Sequence, residues 1–157
     1  MNANARLIET LYEALSRRDA SRMAACYHPE VEFSDQVFPR LRGAEVPAMW
    51  KMLCERGTDL RIEWNGVEAD AESGRAHLEA WYTFGASGRK VHNRIDAEFR
   101  FQDGRIIRQR DQFSFWRWSR QALGPPGWLL GWSPALRRRV RAQAAVGLAR
   151  FLRTGAG

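Results

Sequence analysis

The sequence predicts an α+β fold in which helices pack on one face of a curved antiparallel sheet. Two observations carry this. Apolar residues at helical spacing dominate the first 56 residues, and strict alternation takes over from Leu60 and runs to Phe115. The order is helix, helix, strand, helix, then an antiparallel meander, with no internal repeat and no low-complexity segment.

Leu7, Ile8, Leu11, Tyr12 and Leu15 define a first helix over about residues 3–18. Asp19 is placed to cap a second, shorter helix carrying Met23, Ala24 and Tyr27, and His28-Pro29 stops it because the residue before proline disfavours helix. Val31 to Ser34 reads as a short strand and Asp35–Gly43 as a loop. Ala44–Arg56 returns to helix through Val46, Met49, Trp50 and Leu53, with Gly57 as its C-cap. Leu60, Ile62 and Trp64 then share one strand face, as do Leu78, Ala80, Tyr82 and Phe84 on the next strand. In the long third member, Val91, Asn93, Ile95, Ala97, Phe99 and Phe101 face inward, opposite His92, Arg94, Asp96, Glu98 and Arg100. Asp103-Gly104 marks a hairpin, after which Ile107, Gln109, Asp111, Phe113 and Phe115 face inward. Ser133-Pro134, an N-cap followed by proline, opens a last helix to about Leu152 with the stripe Leu136, Val140, Ala144, Leu148 and Phe151. This divides the chain into a domain over 1–115 and a helical extension over 116–157.

At 157 residues the chain is long enough to bury a sizeable core without disulfides or metals. Its net charge of +7 is unevenly spread. Residues 116–157 hold eight arginines and no acid, whereas residues 1–115 hold 17 basic residues against 18 acids. Cys26 and Cys54 match neither a redox nor a metal-ligand spacing, which points to free thiols in a reducing cytoplasm. The N-terminus lacks a signal-peptide pattern, and no apolar run approaches the ~20 residues of a membrane span.

Three segments, LYEALSRRDASRMAACYHPEVEFSD (11–35), RGAEVPAMW (42–50) and FRFQDGRIIRQRDQF (99–113), together resemble the nuclear transport factor 2-like superfamily. That superfamily includes ketosteroid isomerases, SnoaL-like polyketide cyclases and limonene-epoxide hydrolases. The resemblance covers residues 5–115 and implies a cone-shaped fold around one cavity, commonly as a homodimer. Fold does not settle function, because the superfamily contains many non-enzymes. In ketosteroid isomerases the base is an aspartate eight residues before the glycine leading into the third helix, which is the position of Asp35 relative to Gly43. An ungapped match puts the family's oxyanion-hole acid at Asp96, but the pleat turns Asp96 outward, and a one-residue shift puts Ala97 there instead. The family's helix tyrosine falls at Leu11, beside Tyr12. In the epoxide-hydrolase pattern Asp111 matches the last-strand aspartate, while the two partner positions fall at Leu78 and Ala80, which cannot do that chemistry. SnoaL-like cyclases also place an acid/base aspartate late in the fold, as Asp111 is.

Asp35 and Asp111 are the candidate catalytic pair. Both are expected on an apolar inner surface, where desolvation raises a carboxylate pKa and proximity pushes two values apart, giving one acid and one base near neutral pH. That chemistry suits proton transfer at carbon beside a carbonyl, with Asp35 as base and Asp111 as acid. The alternative is that Asp35 caps its loop and Asp111 pairs with Arg108 or Arg110. Tyr82 and Asn93 are candidate donors to a substrate oxygen, and Tyr12, Phe33, Phe38, Trp50 and Phe113 are candidate substrate-binding wall residues. His77 and His92 face outward and are not spaced as a metal site with any acid, so no metal is expected, and the reading calls for no cofactor.

The tail carries four of the seven tryptophans. Trp116, Trp118, Trp128 and Trp132 are expected to close the cavity mouth or pack on a partner copy, a reading ranked above docking on an anionic membrane surface. No nucleic-acid motif is present. The expectation is thus a cofactor-free isomerase or cyclase acting on a small hydrophobic carbonyl compound. A non-catalytic small-molecule or protein-binding module is the alternative.

Overall fold

The computed structural model describes residues 2–154. Helices α1 (Ala3–Ser16), α2 (Ala20–Ala24) and α3 (Glu45–Arg56) are interleaved with strands β1 (Tyr27–Ser34) and β2 (Leu41–Arg42). The meander follows as β3 (Arg61–Ala69), β4 (Ser73–Phe84), β5 (Arg89–Gln102) and β6 (Arg105–Gln112). Helices α4 (Phe115–Leu123), α5 (Pro125–Leu130) and α6 (Pro134–Arg153) close the chain.

Local chemistry sets the helix starts. Asn2 accepts from the Ala5 N–H at 2.7 Å, Asp19 from Arg22 at 3.1 Å and Ser114 from Arg117 at 3.2 Å. Ser133 caps α6 through the Ala135 N–H, with Pro134 at the first helical position. Each such cap contributes about 1 kcal/mol. Asp103 and Gly104, with φ of 54° and 73°, make the β5–β6 hairpin turn that their sequence predicts.

The six strands run in the order β2-β1-β6-β5-β4-β3. The meander is antiparallel as expected, but β1 pairs with β6 in parallel, so the sheet is mixed rather than wholly antiparallel. β1 also begins at Tyr27, earlier than Val31. The restriction on His28 before Pro29 excludes helix but suits an extended strand, and the β1–β6 register shifts between Tyr27 and Glu32, around the proline that cannot donate a ladder bond. On β6, a register shift pairs Phe101 with Ile106 and Arg100 with Arg108. Ile106 therefore takes the fully buried position expected of Ile107.

The inner sheet face packs on α1 and α3 around Ile8, Leu11, Tyr12, Val31, Phe33, Met49 and Phe99, all essentially inaccessible. Burying each of the larger ones contributes about 1.5–3 kcal/mol. The outer face carries the charges: Asp96 lies there, bonded to His77 at 2.9 Å, as the pleat predicts. Residues 115–130 form two helices that the sequence reading did not place. α4 joins the sheet through a second apolar cluster of Val91, Phe115, Trp118, Ala122 and Val140. Leu148 of α6 reaches the main core. Trp118 is buried, but Trp128 and Trp132 are exposed, so within this chain they do not close anything; the tight α4–α5 turn points them outward. No helix among the described residues is long and apolar enough to cross a membrane.

Candidate functional site

Two adjacent strands converge on the candidate site. Phe33 of β1 pairs with Gln109 of β6, and Ser34 with Arg110, in parallel register. The pairing ends at Ser34; Asp35 follows directly in the turn after β1, close enough for its charge to act on Asp111. On its other flank Asp111 pairs with Ala97 of β5, the residue on which the shifted family alignment falls.

Asp35 sits just past β1 in a tight turn. Its Oδ1 accepts from the Val37 and Phe38 N–H groups at 2.7 and 2.6 Å, and its own N–H donates to the Phe38 carbonyl. It is therefore a loop cap, as the simpler alternative held. Burial nevertheless lifts its pKa to about 6 against the pull of those two bonds and of Arg141. Arg141 reaches from α6 and donates to the Gln36 carbonyl at 2.9 Å.

Asp111 is deeper, only 5% exposed, and pairs with neither Arg108 nor Arg110; both arginines are exposed and Arg110 pairs with Glu98. Its Oδ1 accepts from Gln109 Nε2 at 3.0 Å, and Gln109 Oε1 accepts from the Tyr27 hydroxyl at 2.6 Å. Burial raises the Asp111 pKa to about 7; the Gln109 bond opposes this, and the charge of Asp35 adds to it. Tyr82 is pushed up to about 12, chiefly by burial. Trp118 Nε1, donating to its hydroxyl at 2.9 Å, opposes that rise, and Asp35 reinforces it. Burial and the charge of Asp111 likewise raise Tyr12.

One buried donor in this region, the Tyr12 hydroxyl, has no hydrogen-bond partner, whereas Trp50 lies against the Tyr27 hydroxyl. An unmet buried donor costs about 1–3 kcal/mol, so the Tyr12 hydroxyl favours an acceptor supplied from outside the chain.

Of the wall residues, Phe33 and Trp50 meet edge to face at 5.8 Å, and Tyr12 meets Phe99 edge to face at 6.3 Å. Phe38 is buried beneath the Asp35 turn. Asn93 is buried on the inner face opposite Ala80, and no hydrogen bond joins it to either carboxylate. Phe113 is half-buried against the second apolar cluster rather than the first. Sequence reasoning missed the roles of Tyr27, Gln109 and Arg141. Gln109 carried a signal, since it alternates inward two residues before Asp111. Two recesses lie nearby, one of about 440 Å³ between residues 37–41 and α6 and one of about 520 Å³ beside Trp128; neither has Asp35 or Asp111 in its wall. Among the described residues no group of three or more His, Cys, Asp or Glu is placed to hold a metal ion.

The profile of the SnoaL-like domain matches residues 8–109, about two thirds of the chain. The chain belongs to the SnoaL-like family. No curated protein matches it. Among solved structures, this SnoaL-like chain is similar to an NTF2-like protein of unknown function from Burkholderia pseudomallei, at 21% identity and a TM-score of 0.68 over 77% of this chain and 98% of that one. It is similar also to a protein assigned to the SnoaL-like polyketide cyclases from Jannaschia sp. CCS1, at 16% identity and a TM-score of 0.68 over 79% and 94%. An LEH-like epoxide hydrolase of M. tuberculosis matches at 20% identity and a TM-score of 0.63 over 77% and 90%. At these identities the likeness establishes the fold. The SnoaL-like core ends before Asp111, so the second acid lies just beyond the matched segment.

Proposed function

We propose that this SnoaL-like protein is a cofactor-free isomerase or cyclase acting on a small hydrophobic carbonyl compound. The supporting observation is the pair of neighbouring inward carboxylates with pKa values raised to about 6 and about 7. Near pH 6.5 the state with Asp35 ionised and Asp111 protonated is favoured, because a second charge on Asp111 is opposed by burial and by Asp35. Asp35 then takes the proton from the carbon next to the carbonyl while protonated Asp111 donates to the carbonyl oxygen, giving the enol. Return of a proton from Asp35 to another carbon, with Asp111 recovering its own, completes an isomerisation without net gain or loss of protons. Tyr12 and Tyr82 add hydroxyl donors beside the developing oxyanion. Neither acid lines the recess of about 440 Å³ whose wall includes Val37, Phe38, Leu148 and Arg141, so this reading requires residues 36–41 and α6 to part there for substrate to reach the pair.

The expected rate profile is bell-shaped. Exchange of solvent deuterium into enolisable ketones, followed by NMR, rises as Asp35 ionises near 6 and falls as Asp111 loses its proton near 7. No exchange above the buffer background, or a profile flat from pH 5 to 8, removes the catalytic reading. The second reading is a ligand-binding module without chemistry, favoured by the absence of both acids from the recess walls. It predicts ligand-dependent tryptophan fluorescence with no exchange.

A further inference from the structure

The segment Gly124–Trp132, GPPGWLLGW, folds inside out. Its glycines face the protein: Gly124, Gly127 and Gly131 are buried, and a Cβ on Gly127 would run into the Ser119 carbonyl, one on Gly131 into the Ser119 hydroxyl. Its large apolar side chains face solvent instead, with Trp128 57%, Leu129 72%, Leu130 49% and Trp132 73% exposed. A soluble helix arranges these the other way round. Because α5 can approach α4 only through its glycines, the outward set of Trp and Leu is fixed by the packing and is not a frayed end. A contiguous exposed apolar patch of this kind marks an interaction surface.

Charge identifies the partner. Residues 116–157 contain eight arginines and no acid. Next to Trp128 lies the open recess of about 520 Å³, walled by Arg89, Lys90, Arg120, Gln121 and Trp128: three cations and no acid. Arg89 is steadied by the Gln121 carbonyl at 2.9 Å. The Arg120 guanidinium stacks over Trp116 at 4.0 Å and Trp128 at 4.5 Å, and its buried Nε has no hydrogen-bond partner. Beyond Trp132 in sequence, Arg138 and Arg139 are exposed in the first turns of α6. A twofold contact with a second copy would set these cations against themselves. An anionic lipid surface meets all three features at once: acyl chains for Leu129 and Leu130, the interfacial zone for Trp128 and Trp132, and phosphates for the arginines and Lys90.

We propose that α5 and the residues that follow it to Trp132 form a docking tip for anionic bilayers, holding the protein at the membrane surface without crossing it. This goes beyond the proposed chemistry and does not depend on it. The test is sedimentation of the full chain with vesicles of phosphatidylcholine containing about 30% phosphatidylglycerol, and with phosphatidylcholine alone, at about 0.1 M and about 0.5 M salt. The protein is expected to partition onto the anionic vesicles at least about tenfold better than onto neutral ones, and to lose that preference at high salt. The double variant Leu129→Ser/Trp132→Ser alters only exposed side chains and keeps the wild-type melting curve. It is expected to lose at least about tenfold in partitioning. Failure of the wild type to bind anionic vesicles overturns the proposal, as does equal binding by the double variant. So does a dimer in sedimentation equilibrium that the double variant converts to monomer without vesicle binding, which assigns the face to a second copy.

Discussion

Replacing Asp35 by asparagine is expected to lower exchange of an enolisable ketone by about 10²–10⁴-fold while leaving the fold unchanged. The substitution separates the two roles of the residue. Asparagine Oδ1 can still accept from the Val37 and Phe38 N–H groups that hold the turn at 2.7 and 2.6 Å, so the loop keeps its cap. What disappears is the group that takes up a proton near pH 6. A variant that melts like the wild type and exchanges at an undiminished rate would reduce Asp35 to the loop cap alone.

Asp111→Asn acts on stability as much as on turnover, and its sign follows from the raised pKa. In the unfolded chain this carboxyl titrates near 3.8, and in the folded protein near 7. Between those values the native state holds a proton that the unfolded state has released, so raising the pH favours unfolding. The stability present below pH 3.8 is lost progressively as pH rises through 7. At 1.36 kcal/mol per pH unit the loss from this residue is on the order of 4 kcal/mol. Asparagine retains an acceptor for Gln109 Nε2 and never ionises. The variant is expected to match the wild type near pH 4 and to exceed it by several kcal/mol at pH 8, a gap in Tm on the order of 10 °C. Urea denaturation at the two pH values measures it; equal stabilities at pH 8 would mean that Asp111 is not held in the environment described. Loss of exchange activity should accompany the gain, because the same desolvation that weakens the fold supplies the acid.

The helices, the meander and the inward faces of β4 and β5 were legible because each rests on local periodicity and on caps such as Asp19 and Ser133. Asp96 was placed outward from alternation alone, against the ungapped family alignment. Partnership between distant strands was not legible in this way. No local pattern announces that β1 runs parallel to β6, and that pairing brings the end of β1 to the strand that carries Asp111, so that the charge of Asp35 acts on it. The bulge that exchanges Ile106 for Ile107 shifts the inward set by one residue, although Gln109 and Asp111 keep their facing. Tyr27 was assigned to a helix because the pre-proline restriction on His28 fits a helix end and a strand equally well. The α4–α5 turn escaped because its apolar residues suggest a core, whereas its glycines make the close contact and send Trp128 and Trp132 outward.

The parallel join of β1 to β6 also governs when the acids meet. Phe33 and Gln109 are 76 residues apart in sequence, whereas the β4–β5 and β5–β6 hairpins close over short loops. Closing the longer loop carries the larger entropic cost, so the hairpins are favoured to form first and β1 to be added late. Crowding and desolvation of the two carboxylates then arise after the main folding barrier. Their cost falls on the lifetime of the native state rather than on the speed of reaching it. In the kinetics of Asp111→Asn this appears as slower unfolding with refolding left nearly unchanged.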